Sequence, residues 1–201
     1  MNNILNRVHE LITISDRQEI VKALQSLERF ILCNYQMRIF DQIVQMKEIE
    51  IYYKNENVGY IDTTMHGRER QKNNFNNLYL HGGGIDICLS DSNDYYLSIL
   101  IRGGIVIGKE SCRTCTPILL YDAVVPKKAN IDNQPPILEP LATPNNEDVL
   151  YAVRYGVRKM REVDGVPVKP EDKELILRAH LGEVKDIPCK DLPGKLSFSK
   201  L

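Results

Sequence analysis

Tyr60–Gly104 reads YIDTTMHGRERQKNNFNNLYLHGGGIDICLSDSNDYYLSILIRGG, and its changes of period decide the fold. Val58 to Thr63 reads as the returning strand of a hairpin whose turn is Asn55-Glu56-Asn57. His66 to Asn77 is polar, without an apolar period, and reads as an exposed loop. A strand through Leu78-Tyr79-Leu80 is interrupted by Gly82-Gly83-Gly84 and resumes at Ile85-Asp86-Ile87-Cys88. Glycine inside a strand weakens it unless the backbone bends or something must approach closely. Tyr95 to Ile101 is a further strand, continued by Ile105-Val106-Ile107 beyond Gly103-Gly104. Short strands in antiparallel succession favour an α+β fold over a parallel α/β sheet.

Upstream, Glu48-Ile49-Glu50-Ile51-Tyr52-Tyr53 alternates acids with isoleucines and reads as the hairpin's first strand. Before it, Ser15-Asp16-Arg17-Gln18 has the form of a capping box. Ile20, Val21, Leu24, Leu27, Phe30 and Ile31 then recur at helical spacing. Ile4, Val8, Leu11 and Ile12 predict a shorter helix before this one, and Phe40, Ile43, Val44 and Met46 another after it. Downstream, Asn145 or Asn146 caps a predicted helix bearing Leu150, Val153, Val157 and Met160. Pro170-Glu171-Asp172 opens another, which ends near Gly182. The expected architecture is α+β: an antiparallel, curved β-sheet, a roll or partial barrel, flanked by N-terminal and C-terminal helices. Residues 1–201 form one domain, helical over 1–47 and β-rich over 48–125. A Pro-rich connection at 126–145 leads to C-terminal helices and a tail at 146–201.

The composition is that of an ordinary soluble globular chain, with 43% hydrophobic and 26% charged residues among 201. A net charge of −1 argues against a surface basic throughout, while leaving room for a local basic patch. No apolar run approaches the roughly 18–20 residues that span a bilayer. The start, MNNILNRVHELITISDRQE, lacks the pattern of a secretory leader. Five scattered cysteines, at 33, 88, 112, 115 and 189, fit reduced thiols, so the expected location is cytoplasmic.

Asp62 and Asp86 lie on or beside apolar strands, where a carboxylate is costly to bury unless paired. Such placement also raises a pKa towards the range useful for general acid–base work. Asp86 alone reads as an acceptor of amide hydrogens in the glycine turn. Arg102 ends its strand on the face of Tyr96, Ser98 and Leu100, where it can pair with an aspartate or grip a phosphate. His66 and His81 bracket the polar loop and, with Asp62 and Asp86, match no established metal-ligand spacing, so no metal or cofactor is expected. His9 reads as a surface residue and His180 as a last-turn residue of a helix. Cys112-Arg113-Thr114-Cys115 is a lone C-x-x-C without the second pair a zinc ribbon needs. Arg68 and Arg70 make the loop basic, and Arg154, Arg158 and Arg161 fall on one face of the predicted helix. Both groups can meet a phosphate backbone, or else form solvated, ion-paired surfaces.

Gly59-Tyr60-Ile61-Asp62-Thr63, the later Leu-Tyr followed by glycines, and the strand ending Ile99-Leu100-Ile101-Arg102 resemble the alkyladenine (3-methylpurine) DNA glycosylases, over about residues 58–107. In that family a strand ends in acid-Thr-Glu-Ala-Tyr, and a later strand ending Leu-Leu-Arg helps line the base pocket. The Glu activates the attacking water, and the Tyr stacks on the base. Aligned on Asp62-Thr63, the Glu falls on Thr64 and the Tyr on His66, so Asp62 or Asp86 has to replace the missing base.

The resemblance implies an N-glycosylase or related hydrolase acting on DNA, RNA or a nucleotide. In that reading Asp62, Asp86 and Arg102 are catalytic, and His66, His81, Gly83, Gly84, Arg68 and Arg70 bind substrate. Arg154, Arg158 and Arg161 would contact nucleic acid. The alternatives are a non-catalytic nucleic-acid or nucleotide-binding module, and a structural or interaction domain with Asp86 and Arg102 as a buried pair.

Overall fold

The structure is a computed structural model that describes residues 2–81, 84–107, 112–114, 116–126, 137–154, 156–182 and 199–200, with only the backbone of Cys112 and Arg113. Gly83, Cys115, Cys189 and residues 127–136 of the Pro-rich connection lie outside the described residues. Helices α1 (Asn2–Leu11) and α2 (Arg17–Asn34) occur where the apolar spacing predicts them, burying Ile4, Val8 and Leu11 and then Ile20, Leu24, Leu27 and Ile31. The cap of α2 is Asp16 rather than Ser15. Its carboxylate accepts the amide hydrogens of Gln18 and Glu19 at 2.9 Å each, satisfying two of the end's orphan donors.

No third helix follows, which corrects the expectation for residues 40–46. Strands β1 (Tyr35–Ile39) and β2 (Gln42–Asn55) form a tight antiparallel hairpin instead. Its turn places Phe40 at φ 50°, a left-handed conformation rare for an aromatic residue. β3 (Tyr60–Ile61) pairs with the end of β2. The strand expected to run through the three glycines is two strands, β4 (Leu78–His81) and β5 (Gly84–Cys88), paired antiparallel. β6 (Tyr96–Ile107) is continuous past Gly103-Gly104, as read, and pairs with β7 (Cys112–Thr114).

Helix α3 (Pro117–Val124) packs against β5 and β6, and β8 (Leu138–Pro140), inside the Pro-rich connection, pairs with β1. The helix expected from Asn145 is absent. In its place stand β9 (Val149–Ala152) and a short 3-10 turn at Gly156–Lys159. The β10 (Glu162–Val163) and β11 (Val166–Pro167) hairpin follows. Helix α4 (Pro170–Lys173) lasts one turn and gives way to β12 (Arg178–Leu181), so His180 lies in a strand and not in a last helical turn.

Among the described residues ten strands form one antiparallel sheet, curled into a half-barrel, with helices at the N-terminus and in the C-terminal region. The α+β class with a curved antiparallel sheet is therefore the architecture observed. β2 is its axis. One edge pairs with β6 over nearly its whole length, and the other is shared by β1, β12 and β3. Register shifts on either side of Glu48 mark a bulge, which sharpens the local twist. Opposite it, a side chain on Gly104 would meet the carbonyl oxygen of Gln45 at 2.5 Å.

The pleat sorts β2 into two faces. Ile49, Ile51 and Tyr53 join the apolar core, which α2 covers together with Ile85, Ile87, Ile99 and Ile101. Glu48, Glu50 and Tyr52 point the other way. Their cross-strand neighbours are also mostly polar, because one register row runs Tyr79, Asp86, Leu100, Glu50, Arg178 across five strands.

Candidate functional site

That polar face forms the floor of a cavity of about 470 Å³, lined among others by Glu50, Tyr52, Tyr79, Asp86 and Arg102. This volume lies within the roughly 300–1,000 Å³ usual for small-molecule sites. Thr64, His66, Arg68 and Gln71 of the polar loop close one side, and Pro117, Gly156 and Met160 contribute further wall.

Glu50 is 1% exposed, with its carboxylate between two donors. Arg102 Nη1 stands 3.4 Å from Oε1, and the Tyr52 hydroxyl donates to Oε2 at 3.0 Å. One face of the Tyr52 ring is covered by the Arg154 guanidinium, 4.6 Å from the ring centroid. Burial, followed by the negative charge of Glu50, pushes the Tyr52 hydroxyl well above its usual pKa, so it stays a donor. Behind Arg102 lies Glu48, which accepts from Arg102 Nε at 3.2 Å and from Arg178 Nε, with His180 Nδ1 3.7 Å away. Burial alone would raise its pKa, but His180, Arg178 and Arg102 outweigh that and bring it down to about 2.

On the opposite side, Asp86 is 6% exposed and takes His81 Nε2 at 3.1 Å. The Ser98 hydroxyl and Gln71 Nε2 donate to its other oxygen at 3.3 and 3.4 Å. The hydrogen bond to Asp86 is the leading cause that raises the His81 pKa, against the opposing effect of burial. The His81 and Tyr79 rings lie 5.4 Å apart and 32° from parallel. Glu50 and Asp86 are both partners of Leu100, so two inter-strand steps, roughly 10 Å, separate their backbones.

Of the residues expected to act, Asp86, Arg102, His66, His81 and Arg68 line this cavity. Arg102 pairs with Glu48 and Glu50, not with Asp86 or Asp62. Asp62 does not belong to the cavity lining. Its side chain is fully buried, accepting from Arg154 at 2.6 and 3.3 Å and from the Thr64 hydroxyl and amide at 2.6 and 3.0 Å. That corrects its catalytic assignment, because the carboxylate is buried away from the cavity and engaged by Arg154 and Thr64. Arg154 is equally misplaced as a nucleic-acid contact: it is 0% exposed and bound to Asp62.

With no helix there, Arg154, Arg158 and Arg161 share no face. Arg158 is exposed near Glu174, at 3.5 Å, and Arg161 is exposed outside the cavity. Arg68 and His66 stand 3.1 and 3.4 Å from Asp164 at the tip of the β10–β11 hairpin. Arg70 points to solvent, and its carbonyl accepts from Asn74 and Cys88. Gly84 sits behind the wall at φ 146°, where a Cβ would meet Pro117 Cβ at 2.6 Å, so it shapes the cavity without lining it. His66, His81, Asp62 and Asp86 do not gather, and among the described residues no three His, Cys, Asp or Glu side chains could hold one metal ion.

No family model matches the sequence, and no curated protein matches it. The site therefore rests on its own geometry.

Glu48, Glu50 and Tyr52 carry no motif that assigns them a role from sequence alone. The signal was present in the alternation of Glu48-Ile49-Glu50-Ile51-Tyr52, which fixes these three on one face. What it does not reveal is that this face meets Arg102, Arg178 and His180 from distant strands and is buried. None of the described helices is long and apolar enough to cross a membrane.

Proposed function

We propose that the protein is a nucleobase N-glycosidic hydrolase of the glycosylase type, with Glu50 as the base that activates water. One observation carries this reading. A buried carboxylate stands between a guanidinium and a tyrosine hydroxyl on the floor of a cavity whose opposite wall presents the Tyr79 and His81 rings. A flat aromatic base fits against those rings, leaving its glycosidic carbon towards the carboxylate.

Glu50 takes a proton from water, the water oxygen bonds to the anomeric carbon, and the bond from that carbon to the base nitrogen breaks towards the base. Arg102, tied to Glu48 as well as Glu50, holds the carboxylate in position. Glu50 and Tyr52 line the cavity beside Arg102, which ends the strand that resembles Leu-Leu-Arg. The binding-module alternative loses a main support, since the arginine stripe is dispersed.

The test is chromatographic detection of free base after incubation with damaged DNA and with a panel of nucleosides. Release from at least one substrate is expected, and silence across the panel would discard the proposal.

A further inference from the structure

Asp62 and Asp86 are both buried, and the donors around them differ in kind. Asp62, outside the cavity, is gripped by the Arg154 guanidinium and the Thr64 hydroxyl at 2.6 Å each. Asp86, on the cavity wall, is held loosely. Its Oδ2 has the Ser98 hydroxyl at 3.3 Å and Gln71 Nε2 at 3.4 Å, both longer than such bonds usually are. Gln71 Nε2 stands closer to Ser98 Oγ, at 3.0 Å, than to the carboxylate. His81 Nε2, 3.1 Å from Oδ1, is the contact of ordinary length. A carboxylate accepts at about four lone-pair sites, so among the described residues Oδ1 keeps one open and Oδ2 is weakly used. A buried acceptor in this condition is costly unless a further donor completes it, and the cavity is the side from which one can come.

The bases differ in what they offer a carboxylate. Guanine presents N1–H and its 2-amino group side by side, a fork that matches two carboxylate oxygens as an arginine fork does. Adenine and cytosine set a ring-nitrogen lone pair beside the amino group, against one of the oxygens. Uracil and thymine offer one N–H between two carbonyls. Length selects as well. The backbones of Asp86 and Glu50 lie roughly 10 Å apart, two inter-strand steps with Leu100 between them. A purine with its six-membered ring edge at Asp86 directs its glycosidic nitrogen, on the five-membered ring, towards Glu50. A pyrimidine is shorter by that second ring.

We infer that Asp86 is the specificity-determining residue of this site, accepting N1–H and the 2-amino group of a guanine-type base, so that guanine-type purines are released in preference to adenine-type ones. This rests on the hydrolase reading above and extends it to the base released, which is not the alkyladenine after which the resembled family is named. Tyr79 is the register partner of Asp86 and supplies ring surface beside it. Gln71, whose Oε1 also accepts the Arg68 amide hydrogen at 2.9 Å, ties the carboxylate to the loop that closes the cavity.

The experiment compares 7-methylguanosine, 7-methylinosine and 7-methyladenosine, each as the nucleoside and within an oligonucleotide. All three release a base already activated by its methyl group, and they differ at the edge that Asp86 would read. Rates are taken relative to uncatalysed hydrolysis at mildly acid pH, where 7-methylguanine keeps its N1 proton. For wild type, loss of the 2-amino group in 7-methylinosine should lower the relative rate about tenfold, and 7-methyladenosine should fall further. In Asp86→Asn an amide donor faces N1–H, and the ratio of the guanosine to the adenosine rate should drop about tenfold or more. A carboxylate that merely braces the wall would lower all three rates together. An unchanged ratio in an Asp86→Asn protein of wild-type melting temperature overturns the inference while leaving the hydrolase standing. Should that variant not fold, the wild-type series decides, and equal relative rates on the three substrates overturn it. Wild type that releases no base overturns the hydrolase and this inference with it.

Discussion

Glu48 shows how a single carboxylate can organise a buried site. It is 2% exposed, with Arg102, Arg178 and His180 around it, and its pKa lies near 2. The unfolded chain titrates this group at about 4.3, so its contribution is fully present above that pH and is lost as pH falls through about 2. The difference corresponds to about 3 kcal/mol. Glu48→Gln should therefore lower stability by about 3–5 kcal/mol at pH 7, because it leaves buried cations without their counter-ion. It should also flatten the acid limb of a denaturant-midpoint profile, and an unchanged limb would show that Glu48 is not the group responsible. At this scale the sequence was half legible. An aspartate embedded in an apolar strand marks a special position, and both Asp62 and Asp86 are special. Which one meets solvent depends on Arg154, 92 residues from Asp62 in the chain, and no local pattern reports that.

The elements repeat the lesson on a larger length. α1, α2 and β6 were legible because their period is local and strong. The β1–β2 hairpin was not, because its turn uses Phe40 at positive φ instead of glycine or asparagine. β9 reads as helical because Leu150, Val153 and Val157 fall at helical spacing, and β12 because Pro170-Glu171-Asp172 has the form of a helix start. Pairing with each other, and of β12 with β2, overrides that preference. Two predictions belong here. Gly84→Ala would force Cβ against Pro117 at a φ that L-residues rarely adopt, shifting α3 and the cavity wall. A loss of about 1–3 kcal/mol is expected, measured by urea denaturation. On α2, Glu28 is fully buried, and neither carboxylate oxygen has a hydrogen-bond partner among the described residues. Burial raises its pKa well above the usual carboxylate value, so the folded chain keeps a proton that the unfolded chain releases. Stability should then decline as pH rises from about 4 through the raised folded value. Glu28→Met should remove that decline and add about 1–3 kcal/mol at pH 8; a destabilised variant would show that the carboxyl has a use.

Across the whole molecule, buried ion pairs join the sheet to the segments that complete the site. Asp172 on α4 accepts from the Thr63 amide and hydroxyl at 2.9 and 2.5 Å and from Arg17 on α2 at 2.5 Å. Arg154 joins Asp62 to the carbonyls of Ile51 and Asp172. The loop that supplies Thr64, His66 and Arg68 to the cavity is thus fastened by residues from both ends of the chain. Asp62→Asn should cost about 3–5 kcal/mol through Arg154. The chemistry need not change in that variant at temperatures where it stays folded, since Asp62 is outside the cavity. The α+β class was legible at this scale because alternating apolar strands separated by turns admit few architectures. The polar interior was not, since it exists only once the strands curl. The most direct measurement is base release by wild type, Glu50→Gln and Asp62→Asn on one cleavable substrate, at a temperature where all three are folded. The account predicts a loss of at least about a hundredfold in Glu50→Gln and near-wild-type turnover in Asp62→Asn. Full activity in Glu50→Gln, or loss confined to Asp62→Asn, would contradict it.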